Sequence, residues 1–373
     1  MLEVVNLCQK MIRCQDLSVI KEKLEGLGFE TEILEFFDEN NKSVKNLYAK
    51  KGQGKPRLLF GGHYDVVSAG DESLWKQPPF EAIIDDDILY GRGVNDMKGG
   101  IACFICALEE ILKEKTFFDG TISFIISGDE EDPIVEGTKK VLEVLEQRGE
   151  IFDFCVVGEP SNSSVVGEEY KIGRRGDVVL EIISKGVQGH SAYAHLAINP
   201  IHNLVELLHK LQNTPLDKGN EFFEKSSLQV TTFDVGNVAT NVIPAEAKAV
   251  IDVRFNSEHS PLGVVEFVKN IISQTEGEFE LSYDIIGDSF LTDKNKDVKS
   301  FETAILEASN LQAQPSTGGG TSDARYIKDY CPVIEFGLTN KTIHKINEAA
   351  KIADIILLKD IYKNFVCKYF NMC

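Results

Sequence analysis

The sequence contains no apolar run near the roughly eighteen residues that a membrane span requires. Its best stretch, IACFICAL (101–108), is far too short. The opening MLEVVNLCQKMIRC lacks a basic segment followed by an apolar block, so no secretory signal is expected and the cytoplasm is the expected location. Positive charge is scarce: 39 Lys and Arg face 59 Asp and Glu, a formal net charge of −20. That deficit speaks against nucleic acid and against an anionic membrane as partners; a small anionic substrate, which feels its local site, is not excluded. Among the 8 cysteines only Cys103 and Cys106 form a C-x-x-C, and no second pair accompanies it. Packed thiols in a reducing compartment are therefore expected, rather than a zinc ribbon or a redox motif. Internal repeats and low-complexity tracts are missing too. The loop GRGVND (91–96) has Asp96 where a dinucleotide-binding turn needs its last glycine, which sets aside a dinucleotide-dependent oxidoreductase.

What is there is a chain of 373 residues, long enough for two domains. Up to about residue 176 helical and strand-like segments alternate. SVIKEKLEGLGF carries Ile20, Leu24 and Leu27 at helical spacing after a candidate cap at Asp16. RLLFGG, TISFIIS and FDFCVVGEP read as short buried strands, with helices over GGIACFICALEEILKEK and EGTKKVLEVLEQRG between them. This is α/β order, with helices on a central sheet. From Asp177 the pattern becomes β-α-β-β-α-β: DVVLEIISKG, NPIHNLVELLHKL, SSLQVTTFDVG, AKAVIDVRFN, SPLGVVEFVKNIIS and EFELSYDII. That is the order of a ferredoxin-like unit. The α/β style then resumes with KSFETAILEAS, CPVIEFGL and a long last helix. The expected organisation is a first domain over 1–176 and 289–373, interrupted by an inserted domain over 177–288.

Acids and histidines recur where the apolar strands of the first domain run out. GGHYDVV delivers His63 and Asp65, GRGVND delivers Asp96, and IISGDEED delivers Glu130 and Glu131; VVGEPS delivers Glu159 and TIHKINE delivers His344. Ligand crevices of open α/β sheets lie at the carboxyl ends of strands, so five segments converging there point to one site. Two imidazoles with several carboxylates suit zinc better than calcium or magnesium, and the donors outnumber the needs of one ion. Crowded carboxylates such as Glu130 and Glu131 repel one another, and cations between them relieve that cost. One of the two would bind metal while the other faces the attacking water; the residues alone leave open which.

In this order along the chain, GGHYDVV, GRGVNDMKGG, SGDEED, VVGEPS and TIHKINE resemble the dinuclear zinc aminoacylase and carboxypeptidase family, and the inserted β-α-β-β-α-β unit resembles its dimerisation domain. More narrowly, YKIGRRGDVVLEI, KGVQGHSAYAHLAINP, TNVIPAEA, DVRFN and STGGGTSDARY are similar to the branch of that family that removes a succinyl group from a diamino acid. The resemblance implies two zinc ions per subunit, with cobalt or manganese able to stand in at one site. Asp96 would bridge them, His63 and Glu159 would complete one site, and Glu131 and His344 the other. Glu130 would be the general base and Asp65 would orient His63. His190 would reach across a homodimer, built through the inserted domain, to help hold the oxyanion, with Asn241 near it. Arg174, Tyr193, Arg254 and Thr321 would contact the carboxylates and carbonyls of a small anionic acyl-amino-acid substrate.

Two zinc ions would balance Asp96, Glu130, Glu131 and Glu159, so an anionic substrate needs cations of its own; Arg174, Arg175 and Arg254 qualify, unless acids such as Asp252 hold them. Ala194 where that branch usually has proline, Tyr64 where threonine is common, and Asp177 where a small residue is common depart from the pattern. His195, His202, His209 and His259 are expected to have no catalytic role. An acetylornithine deacetylase or another acyl-amino-acid or dipeptide hydrolase is the alternative of the same class, and an inactive metal-binding dimeric scaffold is the alternative of another.

Overall fold

Strand Arg57–His63 lies between Gly120–Ser127 and Phe154–Val157, parallel to both, and Val333–Glu335 adds a fourth parallel strand beyond Phe154–Val157. These strands are buried, mostly apolar runs without alternation, and Gly120–Ser127 is buried along its whole length. That is the pattern of a sheet covered on both faces. Around this centre the sheet has, among the described residues, eight strands, extended by Ser43–Gln53 and Glu30–Phe37 on one side and by Glu169–Lys171 and Gln314–Ser316 on the other. The structure is a computed structural model and describes residues 2–114, 118–132 and 134–372. Lys115, at the end of the expected helix, and Cys373 lie outside the described residues.

Helices Gly99–Glu114 and Ile352–Tyr369 supply an aromatic layer to the sheet. Phe60 stacks on Phe104 at 4.3 Å between centroids, and Phe104 meets Tyr362 edge-on at 5.3 Å. Phe104 is fully buried, so its truncation to alanine would cost about 3–5 kcal/mol. Cys103 and Cys106 are buried free thiols in the same helix. The helix begins against the end of a strand: a Cβ on Gly100 would lie 2.5 Å from the Gly158 carbonyl oxygen. Only glycine permits that approach, which brings the Asp96 turn beside the segment that carries Glu159.

The chain divides into two units, one of Met1–Ile172, Thr292–Ser316 and Ser322–Cys373, the other of Gly173–Leu291 and Thr317–Thr321. The second is wider at both ends than 177–288. Gly173–Arg174 pairs with Phe290–Leu291 in a short antiparallel ribbon, and Arg174 Nη1 donates to the Gly318 carbonyl at 3.0 Å, which ties the Thr317–Thr321 loop to this unit.

Within the second unit the strand order is Ser227–Asp234, Glu246–Phe255, Gly176–Lys185, Glu278–Gly287, all antiparallel. Helices Pro200–Asn213 and Pro261–Ser273 connect them in ferredoxin-like order. Alternate residues of the two central strands point inward: Val178, Leu180 and Ile182 from one, Ala249, Ile251 and Val253 from the other, against Leu204, Leu207, Val264 and Val268 of the helices. Both helices start with proline after a capping side chain, Asn199 Oδ1 accepting from Ile201 N at 3.0 Å and Ser260 Oγ from Gly263 N at 3.1 Å.

Candidate active site

Every candidate ligand of the first unit sits where a strand of its sheet ends or in a turn beside those ends. His63 closes strand Arg57–His63; Glu130 and Glu131 follow Gly120–Ser127; Glu159 follows Phe154–Val157. Asp96 stands in the irregular turn Val94–Lys98. His344 has φ 57°, a left-handed conformation that side-chain-bearing residues rarely adopt and that is kept where a side chain must be aimed.

The side chains converge. Asp96 gives one oxygen to each histidine, Oδ1 lying 3.3 Å from His63 Nε2 and Oδ2 3.1 Å from His344 Nε2. Glu159 Oε1 is 3.6 Å from His63 Nε2, and Glu131 Oε1 is 3.1 Å from His344 Nε2. Donor atoms of His63, Asp96 and Glu131 lie within 4.8 Å of one another, as do those of His63, Glu130 and Glu159. On the far side of its ring, His63 Nδ1 is 3.0 Å from the Asp65 carbonyl oxygen and 3.5 Å from its carboxylate. Both contacts favour a proton on Nδ1, which leaves Nε2, facing Asp96 and Glu159, as the nitrogen that a metal ion would take. The other Asp65 oxygen accepts from Glu131 N at 3.0 Å, so one residue steadies two candidate ligands.

Burial raises the Glu130 carboxyl to about 8, helped by the charges of Asp323, Glu131 and Asp96. Glu159 and Glu131 are also raised, first by burial and then by Asp96. Asp96 goes the other way: burial opposes its ionisation, but His344 and His63 hold it well below the ordinary range. Asp96 raises His344 to about 9, so a metal taken up here would displace a proton. Imidazole nitrogens and carboxylate oxygens at this spacing, with like charges pressed together, fit one or two transition-type cations.

The candidate residues of the second unit form three groups. His190 and Asn241 share a short ribbon, Gly189–His190 against Val242–Ile243, with Ser191 N donating to the Asn241 carbonyl at 2.9 Å. The Tyr193 ring is 5.6 Å from that of His190. Arg174 and Thr321 belong together through the loop bound to Arg174. Arg254 is held by acids of its own sheet: Asp252 takes it in a fork at 2.9 and 3.0 Å, and Asp177 adds an ion pair at 3.0 Å.

Three acids escaped the sequence reading. Asp129 accepts from Ile134 N, Val135 N and Gly137 N, which folds the loop behind Glu130 and Glu131. Asp323 Oδ2 accepts from Ser127 Oγ at 2.8 Å and Thr138 Oγ1 at 2.6 Å, and so fastens the end of the Glu130 strand. Glu348 holds the turn of Asp96. The signal for Asp129 and Asp323 lay in stretches already singled out, SGDEED and GGGTSDAR, where one acid per stretch anchors backbone or hydroxyl groups instead of facing the site.

The family model of Peptidase family M20/M25/M40 matches residues 59–368. A succinyl-diaminopimelate desuccinylase of Ehrlichia canis (strain Jake) is 45% identical over 357 residues, covering 95% of this chain and 93% of that protein. One from Wolbachia pipientis wMel is 46% identical over 344 residues, covering 92% of this chain and 85% of that protein. Of solved structures, the M20 family metallo-carboxypeptidase Sso-CP2 from Sulfolobus solfataricus matches with a TM-score of 0.77 at 19% identity, over 100% of both chains, a likeness of fold. With a family match from the first central strand to the last helix, on an α/β fold with this cluster at its strand ends, the chain belongs to peptidase family M20/M25/M40.

Proposed function

We propose that the chain is a metal-dependent amide hydrolase that cleaves N-succinyl-L,L-2,6-diaminopimelate to succinate and L,L-2,6-diaminopimelate, a step of lysine synthesis by the diaminopimelate route in the cytoplasm. The observation that carries this reading is 45% identity to a succinyl-diaminopimelate desuccinylase along 95% of the chain. The donors gathered round Glu130 support the reaction class.

Asp96 would bridge two zinc ions, with His63 and Glu159 on one and Glu131 and His344 on the other; cobalt or manganese could replace zinc at one of them. Such ions, when bound, polarise an amide carbonyl and lower the pKa of water. The chain's own groups do the rest. Glu130 takes the proton of the attacking water and returns it to the departing amine nitrogen. Asp65 keeps His63 in one tautomer and one orientation. His190 and Asn241 offer donors to the oxyanion of the tetrahedral intermediate. Arg174, Tyr193, Thr321 and Arg254 hold the carboxylates and carbonyls of the substrate.

The inserted domain is assigned to dimerisation, with His190 serving the neighbouring subunit. Its edge strand Ser227–Asp234 leaves Val230 and Phe233 exposed, at 42% and 41%, which suits pairing with a second copy. No helix among the described residues is long and apolar enough to cross a membrane.

Amine release from N-succinyl-L,L-diaminopimelate beside N-acetylornithine, with metal and with chelator, tests the reading. Metal-dependent cleavage of the succinyl substrate alone is expected. Cleavage of the acetyl substrate alone would keep the metal centre and move the chain to the deacetylases, and cleavage of neither would favour another acyl-amino-acid or dipeptide hydrolase or an inactive scaffold.

A further inference from the structure

Glu348 lies four positions beyond His344 and is fully buried, at 0% exposure. Its carboxylate serves the turn that carries Asp96. Oε1 accepts from Asn95 N at 2.9 Å and Asp96 N at 3.3 Å; Oε2 accepts from Gly93 N at 3.0 Å and Arg92 Nη1 at 2.7 Å. A second clamp joins the same two segments: Asn95 Nδ2 donates to Thr342 Oγ1 at 2.8 Å and to the Ala349 carbonyl at 2.9 Å. Arg92 Nη1 also reaches the Lys345 carbonyl at 3.2 Å. The Asp96 turn and the His344 turn, 248 positions apart in the chain, are thus tied on both sides of the two ligands they present.

We propose that Glu348 is a positioning residue that fixes Asp96 against His344 and thereby sets the affinity of the ion those two side chains hold. The proposal rests on the dinuclear reading above. Glutamate is required for a geometric reason. Two oxygens on one carboxylate receive three backbone N–H groups and a guanidinium, whereas glutamine would turn an NH2 group against one pair of donors. The other proposed site shares Asp96 but keeps two ligands with supports of their own, since His63 is held by Asp65 and Glu159 follows a different strand, whereas His344 lies on the very segment that Glu348 ties down. Loss of Glu348 should therefore weaken one ion selectively.

The test is a zinc titration of the metal-stripped protein against a chromophoric chelator, for wild type, Glu348→Gln and Arg92→Met/Glu348→Met, with His344→Ala marking the phase that depends on His344. For Glu348→Gln, that phase should weaken about 10–100-fold while the other moves by less than about threefold, the range seen when groups supporting metal ligands are removed. Glu348→Gln also leaves Arg92 buried without its anion, which by itself lowers the melting temperature. The double variant removes that charge but leaves the N–H groups of Gly93, Asn95 and Asp96 without their acceptor, so it should regain only the part of the stability that the unpaired guanidinium costs, and none of the lost affinity. Affinity that returns together with stability would overturn the proposal, as would two wild-type phases in Glu348→Gln, or failure of both variants to fold, since the pair would then be a folding element only. Wild-type stoichiometry keeps the two ideas apart: fewer than two equivalents would overturn the dinuclear reading and with it the selective role of Glu348, whereas two equivalents bound with wild-type affinities in Glu348→Gln would overturn the role of Glu348 alone.

Discussion

Asp177 and Arg254 stand directly opposite one another on adjacent antiparallel strands, with Asp177 Oδ2 3.0 Å from Arg254 Nη1. Asp252 takes Nε and Nη2 of the same guanidinium. An arginine proposed to bind a substrate carboxylate is therefore shared between two acids. Asp177→Ser should free Nη1 and lower KM for the succinylated substrate about 3- to 10-fold, the worth of a modest charge-assisted hydrogen bond. kcat should change little, because the contact is made in the ground state and the transition state alike. Steady-state kinetics on the purified variant decide this, and an unchanged KM would remove Arg254 from the substrate contacts.

Glu130→Gln keeps the size of the side chain and removes its ability to carry a proton between water and amine. Turnover should fall by about 10²- to 10⁴-fold, the usual worth of a general base. Metal content should stay near that of wild type, since Asp96, Glu131, Glu159 and both histidines remain. Metal analysis of the dialysed variant beside its kcat is the measurement. Loss of metal in step with loss of rate would reassign Glu130 as a ligand.

The parts of the chain that were legible carry their signal locally. The central strands read as unbroken apolar runs because both faces are covered, and Gly176–Lys185 and Glu246–Phe255 read by alternation because one face is covered. The metal-type residues were legible because the ends of those strands are marked by the sequence itself. The hairpin Glu30–Phe37 with Ser43–Gln53 was not: at the sheet edge most of the first strand is exposed, and ETEILEFF has no clean period. Glu348 was invisible for a different reason. A carboxylate that binds backbone N–H groups some 250 positions away leaves no pattern around itself. Arg254 shows the limit for charges, since both acids that hold it were visible in the sequence but only register brings Asp177 opposite.

Acid should loosen the inserted domain through Asp217. Its Oδ1 accepts from Gly219 N at 2.8 Å, Ser226 N at 3.1 Å and Asn256 Nδ2 at 2.7 Å, and its Oδ2 faces His259 Nε2 at 3.1 Å. Burial raises this carboxyl, but the bonds from Ser226, Gly219 and Asn256 outweigh it and bring the pKa below 3.8. The unfolded chain therefore binds its proton first as pH falls. The stabilisation is complete above 3.8 and is lost as pH drops through the lower, folded value. Asp217→Asn should cost about 1–3 kcal/mol at pH 7, from lost charge-assisted bonds. The two proteins should converge in urea midpoint as pH approaches the acid limb; a constant gap down to that limb would mean that the charge of Asp217 plays no part.

His190 gives the sharpest test of a shared active site. If each site takes Glu130 from one subunit and His190 from the other, a dimer of Glu130→Gln with His190→Ala has one intact site, formed by the native Glu130 of the second chain and the native His190 of the first. Its other site lacks both groups. Each variant alone should be nearly inactive, His190→Ala by about 10²- to 10³-fold if its donor faces an oxyanion. Random exchange places half of the dimers in the mixed form, so unfolding and refolding the variants together should restore about a quarter of wild-type activity. Activity that stays at the level of the separate variants, in a sample shown by mass spectrometry to contain mixed dimers, would place His190 in its own subunit's site or outside the chemistry.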